Sequence, residues 1–169
     1  MKLHMHGYGE FRIERLKSKD IESLLSVGVA HDEFAVSPDK SDFWTRRELQ
    51  DWLADPQDIC LGVRNEKDDL LAYCLTHWHQ AANKVYIENI YVASDWRHLG
   101  LGKRLLLETK TRYMKDVNSD GIRFVGLVLD TNVQALRAFE AAGYKMGATC
   151  VWLEILTSRE NDNRATIII

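Results

Sequence analysis

The chain has 169 residues, 46% of them hydrophobic, which is enough to fill one core and short for two, so a single domain is the first bound. Its net charge of -3 is mild and mixed along the sequence, which gives no basic footprint for nucleic acid and no polybasic membrane patch. The opening MKLHMHGYGEF lacks the apolar core of a signal peptide, and no apolar run approaches the ~18 residues of a membrane span, so a soluble, cytoplasmic protein is expected.

In chain order, residues 10–16 alternate like a strand, and a helix is predicted from near Ser18, with Ile21, Leu24, Leu25 and Val29 at helical spacing. After the break at Ser37-Pro38-Asp39, SDFWTRRELQDWLADP reads as a second helix, begun by Ser41 or Asp42 and stopped before Pro56. ICLGVRN, LLAYCLTHWHQ and VYIENIYVA, joined by short polar connections, form an antiparallel meander. Cys60, Cys74 and Cys150 lie in apolar strand-like runs without CxxC spacing, and are expected to be reduced core thiols rather than disulfides or zinc ligands.

A helix from about Leu101 to Val117 places Leu101, Leu105, Leu106, Thr109, Tyr113 and Val117 near one side. Gly121 ends its connection into the apolar strand 122–130, and this βαβ unit predicts that strands 85–93 and 122–130 are parallel and close. Asn132 can cap a helix through about Ala142, with Gly143 at its C′ position, and MGATCVWLEIL returns as a strand. The domain is thus expected over 1–156, and 157–169 reads as a linker and tail.

The most informative stretch is RHLGLGKRLL, residues 97–106, between the end of a strand and the start of a helix. Unpaired backbone N–H groups converge at such a place and the helix dipole favours negative charge, so phosphate is the default guest. A Rossmann fingerprint needs glycine at 105, where Leu105 stands, and a Walker loop needs Gly at 97 and Ser or Thr at 104, where both residues are Arg.

What remains, Arg97-x-x-Gly100-x-Gly102 after Val92, resembles the acyl-CoA pyrophosphate loop of the GNAT superfamily of N-acyltransferases. Asn132-x-x-Ala135-x-x-x-Phe139-x-x-x-Gly143-Tyr144 is similar to the second motif of that family, so the likeness covers roughly residues 84–146. It implies an α/β (mixed α+β) fold: a twisted sheet, antiparallel in its N-terminal part, with a splayed parallel pair and about four flanking helices. The activity implied is transfer of an acetyl group from acetyl-CoA to a primary amine by direct attack in a ternary complex. The rival reading is a catalytically weak acyl-CoA-binding or sensor module.

By the same resemblance the carrier contacts fall on Ile90, Tyr91, Val92, Arg97, His98, Leu99, Gly100, Leu101, Gly102, Lys103, Asn132 and Phe139. The strand is expected to bulge and splay, leaving backbone groups near Ile90 and Val92 for the pantetheine arm and thioester. Glu88 is the acid inside the apolar run 85–93 and the candidate base; strict alternation puts it on the face of Ile90 and Val92. Phe139 stands where many family members carry a Tyr able to protonate the departing thiolate, and Tyr144, past the helix end, is expected to point elsewhere.

His77 and His79 share a strand face, but no third ligand has diagnostic spacing, so no metal is expected. His31, Asp32, Glu33, Phe34, Phe43 and Trp44 fall in the region that resembles the family's variable acceptor wall. Leu127 stands where ribosomal-protein N-terminal acetyltransferases often carry Glu, which ranks a small-molecule or lysine-type amine above a protein N-terminus.

Overall fold

A computed structural model describes residues 2–5, 9–29, 43–117 and 121–148. Strands β1 (Lys2–Met5) and β2 (Gly9–Arg15) form an antiparallel pair, of which only β2 stands out in the sequence. A short 3₁₀ turn at Ser18–Asp20 leads into helix α1 (Ile21–Val29), and helix α2 spans Arg46–Ala54. Helix α2 starts later than its sequence suggests. Thr45 is the N-cap: its hydroxyl accepts from the Glu48 amide at 3.3 Å, and the Glu48 carboxylate accepts from the Thr45 amide at 2.7 Å. Ser41 and Asp42, the expected starters, lie outside the described residues.

Strands β3 (Leu61–Arg64), β4 (Leu70–His79) and β5 (Lys84–Val92) follow, then helix α3 (Leu101–Asp116), strand β6 (Arg123–Gly126) and helix α4 (Val133–Ala141). Among the described residues these strands form one sheet in the order β1-β2-β3-β4-β5-β6. Neighbours are antiparallel except β5 and β6, which are parallel and joined across α3. The expected α/β architecture with four helices is therefore present. Strand β6 is shorter than the 122–130 expected, because after Gly126 the chain leaves β5 and pairs with nothing described. Residues 145–148 are not a strand; Cys150, the rest of the returning strand and the tail lie outside the described residues.

Each face of the sheet carries part of the core. On one, α3 lays down Leu101, Leu105, Leu106, Thr109 and Tyr113, all buried, in the stripe its sequence predicts. The Tyr113 hydroxyl accepts from the Ile59 amide at 2.9 Å and lies 2.9 Å from the Thr76 hydroxyl, tying α3 to the sheet through polar groups that would otherwise be orphaned. On the other face Leu24 of α1 and Leu49 of α2 pack over Tyr73, Leu75 and Tyr91. Cys60 and Cys74 are buried free thiols, as expected; burial pushes both up, Cys74 to about 12, which keeps them protonated and inert.

Candidate active site at a fork in the sheet

The site is built from a counting error between two strands. Strand β5 pairs with β4 as Thr76↔Ile87 and then Leu75↔Asn89, so Glu88 is an extra residue that opposes nothing. At the same point β5 parts from β6, whose last pair is Ile87↔Gly126. From Glu88 to Val92 the β6-facing edge of β5 thus has no strand beside it among the described residues, and the fork in the sheet begins at Glu88. The side-chain oxygen of Asn89 is buried there and has no hydrogen-bond partner among the described residues, an acceptor awaiting a donor.

The bulge also decides which way Glu88 points. Ile87 and Ile90 both pack on the α3 face, with Thr76 and Cys74 as their partners, so Glu88 and Asn89 share the opposite face, with Leu75 and His77. This corrects the strict alternation that put Glu88 with Ile90 and Val92. Glu88 is exposed, but partial desolvation of its carboxyl still raises its pKa; His77 opposes that rise, Asp58 adds to it and His79 opposes it.

At the far end of the opening lies the glycine loop. Gly100 caps α3 in the left-handed conformation (φ 76°), and His98 also has positive φ (65°). No side chain caps α3, so the amides of Leu101, Gly102 and Lys103 lack helical acceptors, and no acid stands in the first turn. An added Cβ at Gly100 meets nothing within 4 Å, so backbone conformation alone accounts for that glycine. Gly102 is different: its φ is ordinary, and an added Cβ would make ordinary contacts, 3.7 Å from Val92 and Ala138 and 3.9 Å from Ile90. The fold itself therefore does not require glycine at 102.

Several expected contacts are only partly available. Arg97 Nε donates to the Val92 carbonyl at 3.0 Å, which pins the loop to the end of β5 and occupies the carbonyl expected to await a ligand. The Leu101 side chain is buried, Leu99 packs on the core, and the Tyr91 ring stacks on Tyr73 on the opposite face, centroids 5.5 Å apart, leaving only backbone from Leu101 and Tyr91. His98 and Lys103 are exposed at the helix start. Asn132 caps α4, its side-chain oxygen accepting from the Ala135 amide at 3.1 Å. Phe139 is buried, its ring against Gly126. Tyr144 meets that ring edge-on at 4.9 Å rather than pointing away from it; its hydroxyl is buried without a described partner, and burial pushes its pKa up.

On the Glu88 face, His77 Nδ1 lies 2.8 Å from the carboxylate of Asp58, a residue that nothing in the sequence singles out. Phe43 and Trp44 join an aromatic row with Trp52, Tyr73 and Tyr91, linked by centroid distances of 5.1 to 6.3 Å. His31, Asp32, Glu33 and Phe34 lie outside the described residues. No cluster of three or more metal-ligating groups occurs among the described residues.

The sheet splays beside an uncapped, glycine-flanked helix start. Residues 28–144 match the acetyltransferase (GNAT) family, and the chain belongs to that family. Among solved structures it is similar to an aminoglycoside acetyltransferase from an uncultured soil metagenomic sample, in complex with trehalose (16% identity, 88% of this chain and 97% of that one, TM-score 0.68). It is also similar to the PaiA N-acetyltransferase of Thermoplasma acidophilum in complex with coenzyme A (21%, 83% and 92%, TM-score 0.67). A third is the ribosomal-protein-alanine N-acetyltransferase of Brucella melitensis biovar Abortus (15%, 86% and 99%, TM-score 0.61). No curated protein sequence gives a significant match.

Proposed function

We propose that this chain moves an acetyl group from acetyl-CoA to a primary amine of a small molecule, by direct attack in a ternary complex within a single domain over residues 1–156. The observation that carries this reading is the fork itself: it opens at Glu88 and Asn89 and runs to the free amides of Leu101, Gly102 and Lys103. The carrier's diphosphate is read onto those amides, with Lys103 and Arg104 offsetting its charge, and the pantetheine arm along the unpaired edge of β5. Asn89 offers its unpartnered oxygen to an N–H of carrier or acceptor.

Glu88 takes a proton from the acceptor ammonium, the neutral nitrogen attacks the thioester carbon, and as the tetrahedral intermediate collapses the C–S bond breaks and the second nitrogen proton passes to the departing CoA sulfur or to water. The raised pKa of Glu88 suits that task. The CoA thiolate leaves without a side-chain acid at 139; a thiol pKa of roughly 8.5, by analogy with cysteine, makes it a fair leaving group. A small-molecule acceptor is favoured because solved relatives in fold include aminoglycoside acetyltransferases, one of them in complex with sisomicin.

The test is calorimetric binding of acetyl-CoA together with release of free CoA thiol across a panel of aminoglycosides, polyamines, lysine peptides and N-terminal peptides. Binding at one site and turnover with a small amine are expected. Binding with no turnover on any amine would instead make the chain an acyl-CoA sensor.

A further inference from the structure

Asn89 is the residue at the fork whose chemistry the fold leaves unused. Its side-chain oxygen is buried and has no hydrogen-bond partner among the described residues. Across from it on β4 stands Leu75, which has no side-chain donor, and its strand neighbour Glu88 only accepts when ionised. A buried oxygen without a donor is a standing cost to the folded chain, and a leucine of the same branching would avoid it. The amide at 89 thus fits a guest better than it fits the fold.

The face on which that oxygen lies decides between the two guests. The groups read as carrier contacts stand on the α3 side: the free amides at the start of α3, Ile90 and Val92 beneath Gly102, and Phe139 against Gly126. Asn89 faces the other way, with Leu75, toward the side covered by α1 and α2. In a regular strand Glu88 and Asn89 would face opposite sides. The bulge sets both on this one, so a carboxylate and an amide oxygen occupy consecutive positions where the fork begins.

Two oxygens side by side suit a nitrogen. An ammonium has N–H donors for both, whereas an alcohol has a single O–H and leaves one oxygen unserved. We propose that Asn89 binds the incoming amine: its Oδ1 accepts one N–H and holds the nitrogen beside Glu88, so that the lone pair freed by deprotonation is left for the thioester. Rotation about the Cβ–Cγ bond, whose wells are broad, turns the oxygen to the amine. The inference rests on the acetyl transfer proposed above and commits Asn89 to the amine rather than to the carrier.

The test compares the full wild-type chain with Asn89→Leu, by thiol release with acetyl-CoA and by titration calorimetry. Asn89→Leu should raise the KM for amine roughly 10- to 100-fold, the range of a lost hydrogen bond to a charged group, with the Kd for acetyl-CoA unchanged. The contact is to the nitrogen that every amine shares, so ethylamine and the best amine of the panel should suffer by similar factors. Asn89→Asp restores an oxygen and should recover most of the loss. If Asn89→Leu does not fold, Asn89→Ala carries the same comparison.

Three results overturn the assignment and leave acetyl transfer standing: wild-type amine kinetics in the folded variant, a defect that spares ethylamine, or a raised Kd for acetyl-CoA in place of a raised amine KM. No turnover by the wild-type chain with any amine overturns the reading beneath it as well.

Discussion

Replacing Gly102 by Ala separates a glycine kept for a turn from one kept for a guest, because the two roles give opposite signs. The added methyl would sit 3.7 Å from Ala138 and Val92 and 3.9 Å from Ile90, ordinary contact distances, on a backbone without positive φ. Nothing in the free protein resists it. Alanine in place of glycine in a helix gains roughly 0.5–1 kcal/mol, and at the second position of α3 the lower figure applies. For a chain of this size that raises Tm by about 1–2 °C.

If the carrier's diphosphate lies on the α3 amides, as proposed, the same methyl crowds it. Loss of one charge-assisted hydrogen bond costs about 1.5–3 kcal/mol, so the Kd for acetyl-CoA should rise roughly 10- to 100-fold. Scanning calorimetry and titration calorimetry on one preparation read both numbers. Gly100→Ala is the control: its φ of 76° makes any side chain strained, so it should lower Tm. Gly102→Val enlarges the same obstacle, and a folded Gly102→Val protein that binds acetyl-CoA as tightly as wild type refutes the placement of the carrier at the fork.

Glu88→Gln should cut turnover on the order of 10²-fold with acetyl-CoA binding nearly intact, measured by thiol release and calorimetry. Because the folded Glu88 carboxyl has its pKa raised, the native state binds more protons than the unfolded one between the two pKa values, and stability falls as pH rises through that window. Glu88→Gln should therefore melt higher than wild type near pH 7 and converge with it below about pH 4, the ordinary glutamate range; parallel melting curves would remove the raised pKa. Tyr113→Phe leaves the buried Ile59 amide without its acceptor and should cost about 1–3 kcal/mol in urea unfolding. Gly126→Ala puts a methyl 3.0 and 3.1 Å from ring carbons of Phe139 and should cost about 1–3 kcal/mol, partly recovered by Phe139→Leu in the double mutant.

The helices were legible where side-chain spacing alone decides them. The buried stripe of α3 and the Asn132 cap follow from local sequence. The start of α2 was also present locally, in Thr45 and Glu48 three residues apart, but earlier Ser and Asp residues offered the same chemistry. Strand β6 was overread because Leu127 and Leu129 are apolar; they are exposed, and a strand needs a neighbour, which hydropathy does not report. The bulge is illegible for a similar reason: KVYIENIYV alternates in the same way whether or not β4 skips one of its residues. Asp58 reaches His77 across 19 positions of chain, and no local pattern announces that contact.

A last consequence concerns inheritance. Removing a paired residue between Val85 and Ile87 throws those beyond it onto the wrong side of the sheet, and selection would meet the damage as misfolding. Glu88 is the exception, since its neighbours Ile87 and Asn89 already face consecutive residues of β4. An in-frame loss of that single codon leaves every neighbour's orientation unchanged and takes away the carboxylate together with the bend. If Glu88 is the base, as proposed, a folded but chemically silent sibling of this chain is one three-nucleotide deletion away, and gene copies released from selection on activity can reach it without passing through an unfolded intermediate.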